Sequence, residues 1–154
     1  MTDATTDVQS TGPAATFVFD GDCGFCAWSA DWLAHLTDRP DHHGSRPLSV
    51  VSSHDVDFAD LGIDPALIQR HALYFEPRPV GPVFLARGSV AIGYALRDHA
   101  ASRVWRCVGV VLLNPLVAAP ASIAYRLVAA NRSRLAPLRK LADAALGAPP
   151  RRRG

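Results

Sequence analysis

A short apolar run that ends in a cysteine-bearing turn constrains the fold of this chain more than any other feature. Residues 16–19, TFVF, combine β-branched and aromatic side chains and predict a buried strand that ends at Asp20 and Gly21. From Phe25 onward apolar residues recur at helical spacing, and Pro40 is the first residue to interrupt them. The sequence therefore predicts a strand, a tight turn and a helix, with a Cys-x-x-Cys pair at the helix entrance.

The segments that follow extend this unit into an α/β sheet. Residues 48–51, LSVV, predict a second strand, so the intervening helix is a candidate right-handed crossover between parallel strands. Two further strands are expected in ALYFEPR (72–78) and VFLAR (83–87), around a turn at Pro79–Pro82. This order of elements, completed by a helix, is that of a thioredoxin-like core, which is a mixed four-stranded sheet with flanking helices.

Three helices are expected to complete the chain. The first covers 90–99 with Ser89 as its cap, and two more follow around 103–113 and 121–134. Residues 107–125 carry no charge over nineteen positions, which is close to the length of a membrane span. An Asn-Pro pair and a second proline interrupt this stretch, so we expect two buried helices separated by a break, and peripheral membrane contact stays open.

Composition and charge indicate one globular domain with a tail at each end, since 49% of the residues are apolar and 19% are charged. We predict a disordered leader over 1–15, a thioredoxin-like domain over 16–135 with a helical extension from about 103, and a basic, partly disordered tail over 136–154. The basic end lacks aromatic interleaving or a nucleic-acid-binding motif, so no nucleic-acid partner is expected. Three cysteines without an export signal predict a reducing, cytoplasmic location, with membrane association left open.

The two cysteines at the helix entrance suit dithiol chemistry. Cys23 and Cys26 are three positions apart and therefore share one face of the helix. Unpaired N–H groups and the dipole at the exposed helix N-terminus favour the thiolate of Cys23, which would attack a disulfide. Cys26 lies one turn further in and would be the sheltered thiol that resolves the mixed disulfide. The pattern predicts a dithiol–disulfide oxidoreductase, and it implies no organic cofactor and no metal.

Two aspartates lie in the same turn. A nearby carboxylate disfavours a second negative charge, so we expect Asp20 to take the proton from Cys26 rather than to activate Cys23. Asp22 is expected to cap the helix. The alternative for both is that they cap free backbone N–H groups and do nothing more, and for Asp20 the sequence leaves the two interpretations equal.

The stretch FVFDGDCGFC resembles the opening motif of the DCC family of predicted thiol-disulfide oxidoreductases, in which Asp-Gly, one residue and Cys-x-x-Cys follow a strand. Asp20, Gly21, Cys23 and Cys26 stand at the motif positions, with Asp22 between them. ARGSVAIGYAL (86–96) and YRLVAANRSRL (125–135) are similar to two later motifs of the family. The resemblance implies a thioredoxin-like fold and a reaction class without a substrate, so a disulfide-containing protein or a small-molecule thiol is the expected partner.

One departure from ordinary thioredoxins concerns substrate docking. Thioredoxins place a cis-proline just before the third strand, facing the cysteines, where it helps to bind the substrate backbone. Here Arg70 and His71 precede that strand, and Pro65 is too early to take the role. His71 is therefore either a residue that faces the cysteines or an exposed histidine at a strand start, and the second is the commoner arrangement.

Two other kinds of site fit parts of this sequence. Asp20-Gly21-Asp22 also fits the opening of a haloacid-dehalogenase-type phosphatase, but Gly24 stands where such an enzyme has Thr or Val, and the only lysine, Lys140, lies in the tail with no acidic pair near it. A zinc site would need ligands beyond the cysteine pair, and Cys107 and His42–His43 show no paired spacing. Cys107 is expected to be a plain buried thiol. A non-catalytic redox-sensing or metal-carrying role is the alternative function.

Overall fold

The computed structural model describes residues 15–38, 48–59, 63–76 and 84–131, together with Arg134 and Ala144. Several sequence-based expectations lie outside these residues. They are the leader, the loop after the first helix with His42–His43, the Pro79–Pro82 turn, Arg132 and the basic tail. The proposed domain limits and tails therefore stay predictions.

A mixed sheet of four strands forms the centre of the structure. The strands are β1 (Thr16–Phe19), β2 (Ser49–Ser52), β3 (Leu73–Glu76) and β4 (Phe84–Arg87). Their order across the sheet is β2-β1-β3-β4, in which β1 and β2 are parallel and β3 is antiparallel to both of its neighbours. The α/β class and the mixed four-stranded sheet are confirmed, and the arrangement is consistent with a thioredoxin-like fold.

Among the described residues four α-helices accompany the sheet: α1 (Gly24–Thr37), α2 (Ser89–His99), α3 (Arg103–Leu113) and α4 (Pro115–Asn131). Helix α1 connects the parallel strands β1 and β2, as the strand–helix–strand pattern predicts. The cap of α2 is Gly88 rather than Ser89, because the backbone turns at Gly88 with a positive φ of 61° that favours glycine. Helix α4 begins earlier than predicted, and Pro120 lies inside it.

The alternation of side chains along the strands divides the core into two parts. On one face of β1, Phe17 and Phe19 pack with Ala30 and Leu33 of α1. On the other face, Val18 packs with a second buried cluster made of Phe58, Ile68, Leu73 and Phe75. The turn that follows β1 is therefore held at the edge of a sheet buried on both sides.

Two glycines allow α3 to cross α2 at short range. A Cβ atom at Gly109 would clash with the backbone of Arg97, and one at Gly93 would lie 2.9 Å from a methyl carbon of Leu113. No side chain fits at Gly109 without moving one helix away from the other. This crossing fixes the start of the C-terminal helices against the core.

Helices α3 and α4 form a bent pair with its break at Asn114. The predicted break is confirmed, and the two axes meet at 91°. No single helix of the described chain is long and apolar enough to span a membrane, although this bent pair passes the length and composition criteria together. The predicted burial is wrong, since Leu116 is 86% exposed and Val104 is 71% exposed. Cys107, expected to be buried, is also exposed.

Candidate active site at the entrance of helix α1

The turn between β1 and α1 is tied by hydrogen bonds to itself and to the segment after β2. The Cys23 N–H donates to the Asp20 carbonyl at 3.2 Å, and the Asp22 N–H donates to the Asp20 carboxylate at 3.1 Å. The Gly21 N–H donates to the Ser53 hydroxyl at 3.1 Å. A Cβ atom at Gly21 would clash with the side chains of His54 and Ser52, so the motif glycine lets these side chains approach the turn closely.

The sulfur of Cys23 caps helix α1. Cys23 has an extended backbone, and its Sγ accepts a hydrogen bond from the Cys26 N–H at 3.2 Å. The expectation that Asp22 caps the helix is wrong, because the helix begins one residue later than that role requires. The Asp22 carboxylate is instead exposed, and its Oδ1 lies 3.1 Å from Nε2 of His54. The cap places the sulfur where a helix N-terminus favours negative charge.

The exposure of the two cysteines is the reverse of the expected order. Cys23 is buried, with 7% of its surface exposed, and Cys26 is partly exposed. Neither cysteine is in a disulfide. Cys26 rather than Cys23 lines a neighbouring cavity, so the residue expected to be sheltered is the one beside open space.

That cavity has a volume of about 420 Å³ and lies between α1, α4 and the segment that precedes β3. Most of its wall is apolar. Asp20 and His71 are among its few polar residues, together with Ser29 and Arg70. Asp20 is itself 8% exposed, so its carboxylate lies within the folded chain beside the cavity that Cys26 lines.

The pairing of β1 with β3 explains why Asp20 and His71 meet the same cavity. The antiparallel register places Val18 opposite Leu73, and its continuation places Asp20 opposite His71. Burial, with Arg87, Arg126 and Arg70 as smaller positive neighbours, lowers the pKa of His71 below its ordinary value. The geometry thus agrees with the interpretation that His71 faces the cysteine side.

Tyr125 of α4 closes this edge of the site. Its hydroxyl accepts a hydrogen bond from the Ala72 N–H at 2.7 Å, and its ring stacks on His71 with centroids 6.3 Å apart. Gly88 lies against both rings, and its N–H donates to the Ala72 carbonyl at 2.8 Å. The described residues contain no cis peptide bond, so a tyrosine from the C-terminal helices stands near the position that a cis-proline takes in thioredoxins.

The three sequence motifs meet in space. The motif around 86–96 touches the motif around 125–135 through Tyr125, and the hydroxyls of Ser89 and Ser122 are 3.2 Å apart. Asp20 and Cys26 of the first motif line the same cavity as Tyr125. Sequence reasoning missed the position of Tyr125 in this site and the contact of His54 with Asp22. Only the rule that the ends of parallel strands meet at one edge could have indicated His54, which follows β2.

A metal site finds no support in the described residues, which contain no group of three or more His, Cys, Asp or Glu side chains arranged to hold an ion. The partner ligands suggested by sequence were Cys107 and His42–His43. Cys107 lies on α3, outside the first helix and its turn. The histidine pair lies outside the described residues.

A mixed four-stranded sheet with flanking helices, and with a Cys-x-x-Cys pair at the entrance of the first helix, is typical of thioredoxin-like dithiol proteins. Residues 17–137 match the family model of the DCC1-like thiol-disulfide oxidoreductases, and the chain belongs to that family. The predicted resemblance is confirmed over most of the chain. No curated protein and no solved structure matches the sequence significantly.

Proposed function

We propose that this protein is a dithiol–disulfide oxidoreductase that works through Cys23, Cys26 and a mixed-disulfide intermediate. The observation that carries the proposal is the hydrogen bond from the Cys26 N–H to the Cys23 sulfur at the N-terminus of α1. It holds the first sulfur against the residue that bears the second, at a helix end that favours a thiolate. The family supports this reaction class and leaves the substrate open.

The division of roles within the pair is part of the proposal. The sequence assigns attack to Cys23 and resolution to Cys26. The helix cap places the Cys23 sulfur at the N-terminus of α1, which supports it as the sulfur that attacks or leaves. The cavity beside Cys26 gives a second route to the pair. Which sulfur first meets a substrate thus depends on where that substrate binds.

Asp20 is proposed as the proton acceptor for Cys26. Its burial and its place in the wall that Cys26 also lines support this role. Its hydrogen bond from the Asp22 N–H supports the alternative, a carboxylate that only closes the turn. Single-turnover exchange of Asp20→Asn against wild type separates them. A slower resolution step that changes with pH supports proton transfer, and an unchanged rate across pH removes Asp20 from the mechanism.

The reaction is tested with the reduced protein in a Cys107→Ser background, which removes the exposed third thiol. Glutathione disulfide and 4,4′-dithiodipyridine serve as substrates. The proposal predicts release of two thiols per chain and an intact mass lower by two hydrogens. Cys23→Ser and Cys26→Ser should each stop at a mixed disulfide. A protein that releases no thiol from either disulfide would contradict the proposal.

The alternative of a metal-carrying protein is tested in the same preparation. Zinc content of the reduced, purified chain is measured beside its turnover. One tightly held metal per chain without disulfide exchange would favour the carrier. Exchange in metal-free protein favours the oxidoreductase.

The proposed location is a reducing, cytoplasmic compartment with peripheral contact to a membrane. The exposed apolar face of α3 and α4, which includes Val104, Leu116 and Ile123, supports the contact. From residue 99 to 142 the sequence holds seven bases and no acid, which complements an anionic lipid surface. Sedimentation with phosphatidylglycerol vesicles should exceed that with phosphatidylcholine and fall in Leu116→Glu. Equal sedimentation with both lipids would remove this contact.

A further inference from the structure

The cavity beside Cys26 points to a substrate class. We propose that it binds a small, largely apolar disulfide or dithiol and that such a substrate reacts at Cys26. This inference rests on the proposed function and deepens it. A volume of about 420 Å³ lies within the range of pockets that bind small molecules. Aromatic and aliphatic side chains, among them Phe17, Phe19, Trp32 and Leu33, form much of the wall.

An extended polypeptide cannot pair with the backbone just before β3, beside the same cavity, because the groups it would pair with are already bonded. A peptide that docks beside a strand pairs with free backbone N–H and C=O groups. At Ala72, just before β3, the N–H is bonded to the Tyr125 hydroxyl and the carbonyl to the Gly88 N–H. The Tyr125 ring also covers His71. A protein substrate would have to displace α4 to pair there, whereas a compact molecule needs only the existing space.

The polar residues of the cavity serve the sulfur chemistry. Asp20, His71 and Cys26 share its wall, and the register of β1 with β3 brings the first two to one edge. An apolar wall with these few polar groups favours an uncharged aromatic or aliphatic disulfide over a charged one, because a buried charge needs a partner. The cavity thus selects substrates by size and polarity rather than by peptide sequence.

The exchange balances without a further reactant. Each cysteine first loses its thiol proton to Asp20 or to solvent. The Cys26 thiolate then attacks one sulfur of R–S–S–R, a Cys26–S–S–R bond forms, and RS⁻ leaves and takes up a proton. The Cys23 thiolate then attacks the Cys26 sulfur, which forms the Cys23–Cys26 disulfide and releases the second RS⁻, which is protonated in turn. Two electrons and two protons pass from the protein dithiol to the substrate. A substrate dithiol reverses the same steps.

The first test fills the cavity. Ala129 lines it from α4, whereas its neighbour Ala130 is exposed and does not line it. In the Cys107→Ser background, Ala129→Phe should slow exchange with 4,4′-dithiodipyridine at least tenfold and slow exchange with glutathione disulfide by a smaller factor. Ala130→Phe is the matched control and should change neither rate. Each rate is divided by that of dithiothreitol with the same disulfide. A wild-type rate for Ala129→Phe with dithiodipyridine would overturn the proposal.

The second test needs no cavity variant. With dithiodipyridine, Cys23→Ser should accumulate a mixed disulfide that peptide mapping places on Cys26. In the reduced Cys107→Ser chain, bibenzyl, which has a C–C bond in place of S–S, should slow alkylation of Cys26 at least threefold. The inference would be overturned if Cys26→Ser formed an adduct on Cys23 while Cys23→Ser formed none on Cys26. It would also be overturned if bibenzyl left the rate of Cys26 alkylation unchanged.

The outcomes separate this inference from the proposed function. A chain that exchanges with neither disulfide contradicts both. Equal normalised rates with dithiodipyridine and glutathione disulfide contradict the apolar cavity alone and leave the oxidoreductase standing. Preference for dithiodipyridine, lost in Ala129→Phe, supports both.

Discussion

The hydrogen bond between Tyr125 and Ala72 gives a direct test of how α4 is held on the core. Tyr125→Phe removes one hydroxyl and keeps the ring that stacks on His71. The Ala72 N–H has no other acceptor among the described residues, so the change leaves it without one. We therefore expect a loss of stability that packing does not offset.

The magnitude follows from the burial of the bond. A hydrogen bond between neutral groups contributes about 0.5–1.5 kcal/mol, and a fully buried N–H left unpaired costs about 1–3 kcal/mol. Ala72 and Tyr125 are both partly exposed, so we expect the free energy of unfolding to fall by about 1–2 kcal/mol. For a chain of 154 residues this lowers Tm by about 2–8 °C.

Urea denaturation followed by circular dichroism measures the free energy of unfolding. An m value equal to that of the wild type indicates that both proteins unfold in the same two-state transition. Tyr94→Phe is the matched control, because Tyr94 packs on Tyr74 and Phe84 and its hydroxyl makes no hydrogen bond to the described residues. Equal stabilities of the two variants would refute the reasoning and would mean that the Tyr125 hydroxyl does not hold α4.

Three other changes test the fold and the turn. Gly109→Ala should lower the free energy of unfolding by about 1–3 kcal/mol because its Cβ meets the backbone of α2, whereas Gly24→Ala, with open space around it, should lose none; equal melting curves would contradict the close crossing. Gly21→Ala should slow thiol release from 4,4′-dithiodipyridine because its Cβ displaces the side chains of His54 and Ser52 that pack on the turn, and an unchanged rate would show that they yield without disturbing it. Because the pKa of His71 is lowered in the fold, its protonation below the ordinary value of 6.5 favours the unfolded chain. The free energy of unfolding should therefore decrease as the pH is lowered through that range. Urea titrations of His71→Gln should show a smaller decrease, and an equal decrease would exclude His71 as its source.

The sheet and the first helix were predictable because their signals are local. The apolar run of β1, the helical spacing of α1 and the residues of β2 and β3 each lie within a few positions of one another. The cap positions of the helices were harder to predict from the sequence. Moving the start of α1 by one residue exchanges Asp22 for Cys23 as the cap, and neither side chain shows where the backbone leaves the extended region.

The surroundings of the cysteines depend on contacts that no local pattern contains. Asp22 and His54 are 32 residues apart, and Ala72 and Tyr125 are 53 apart. Cys26 lines a cavity whose wall also includes residues of α4, and α4 follows the bend at Asn114. The uncharged stretch over 107–125 predicted burial because hydropathy reports a preference for apolar surroundings and not which partner supplies them.

The C-terminal helices are part of the site rather than an addition to a finished core. Trp105 of α3 and Tyr125 and Val128 of α4 line the cavity that also contains Cys26 and Asp20. Without them the sheet face that bears Phe17 and Phe19 would lose one wall of that cavity. Helix α4 reaches it because α3 is fixed by the crossing at Gly109 and then turns at Asn114. The first motif and the last thus meet at one cavity, and the family match over 17–137 includes both.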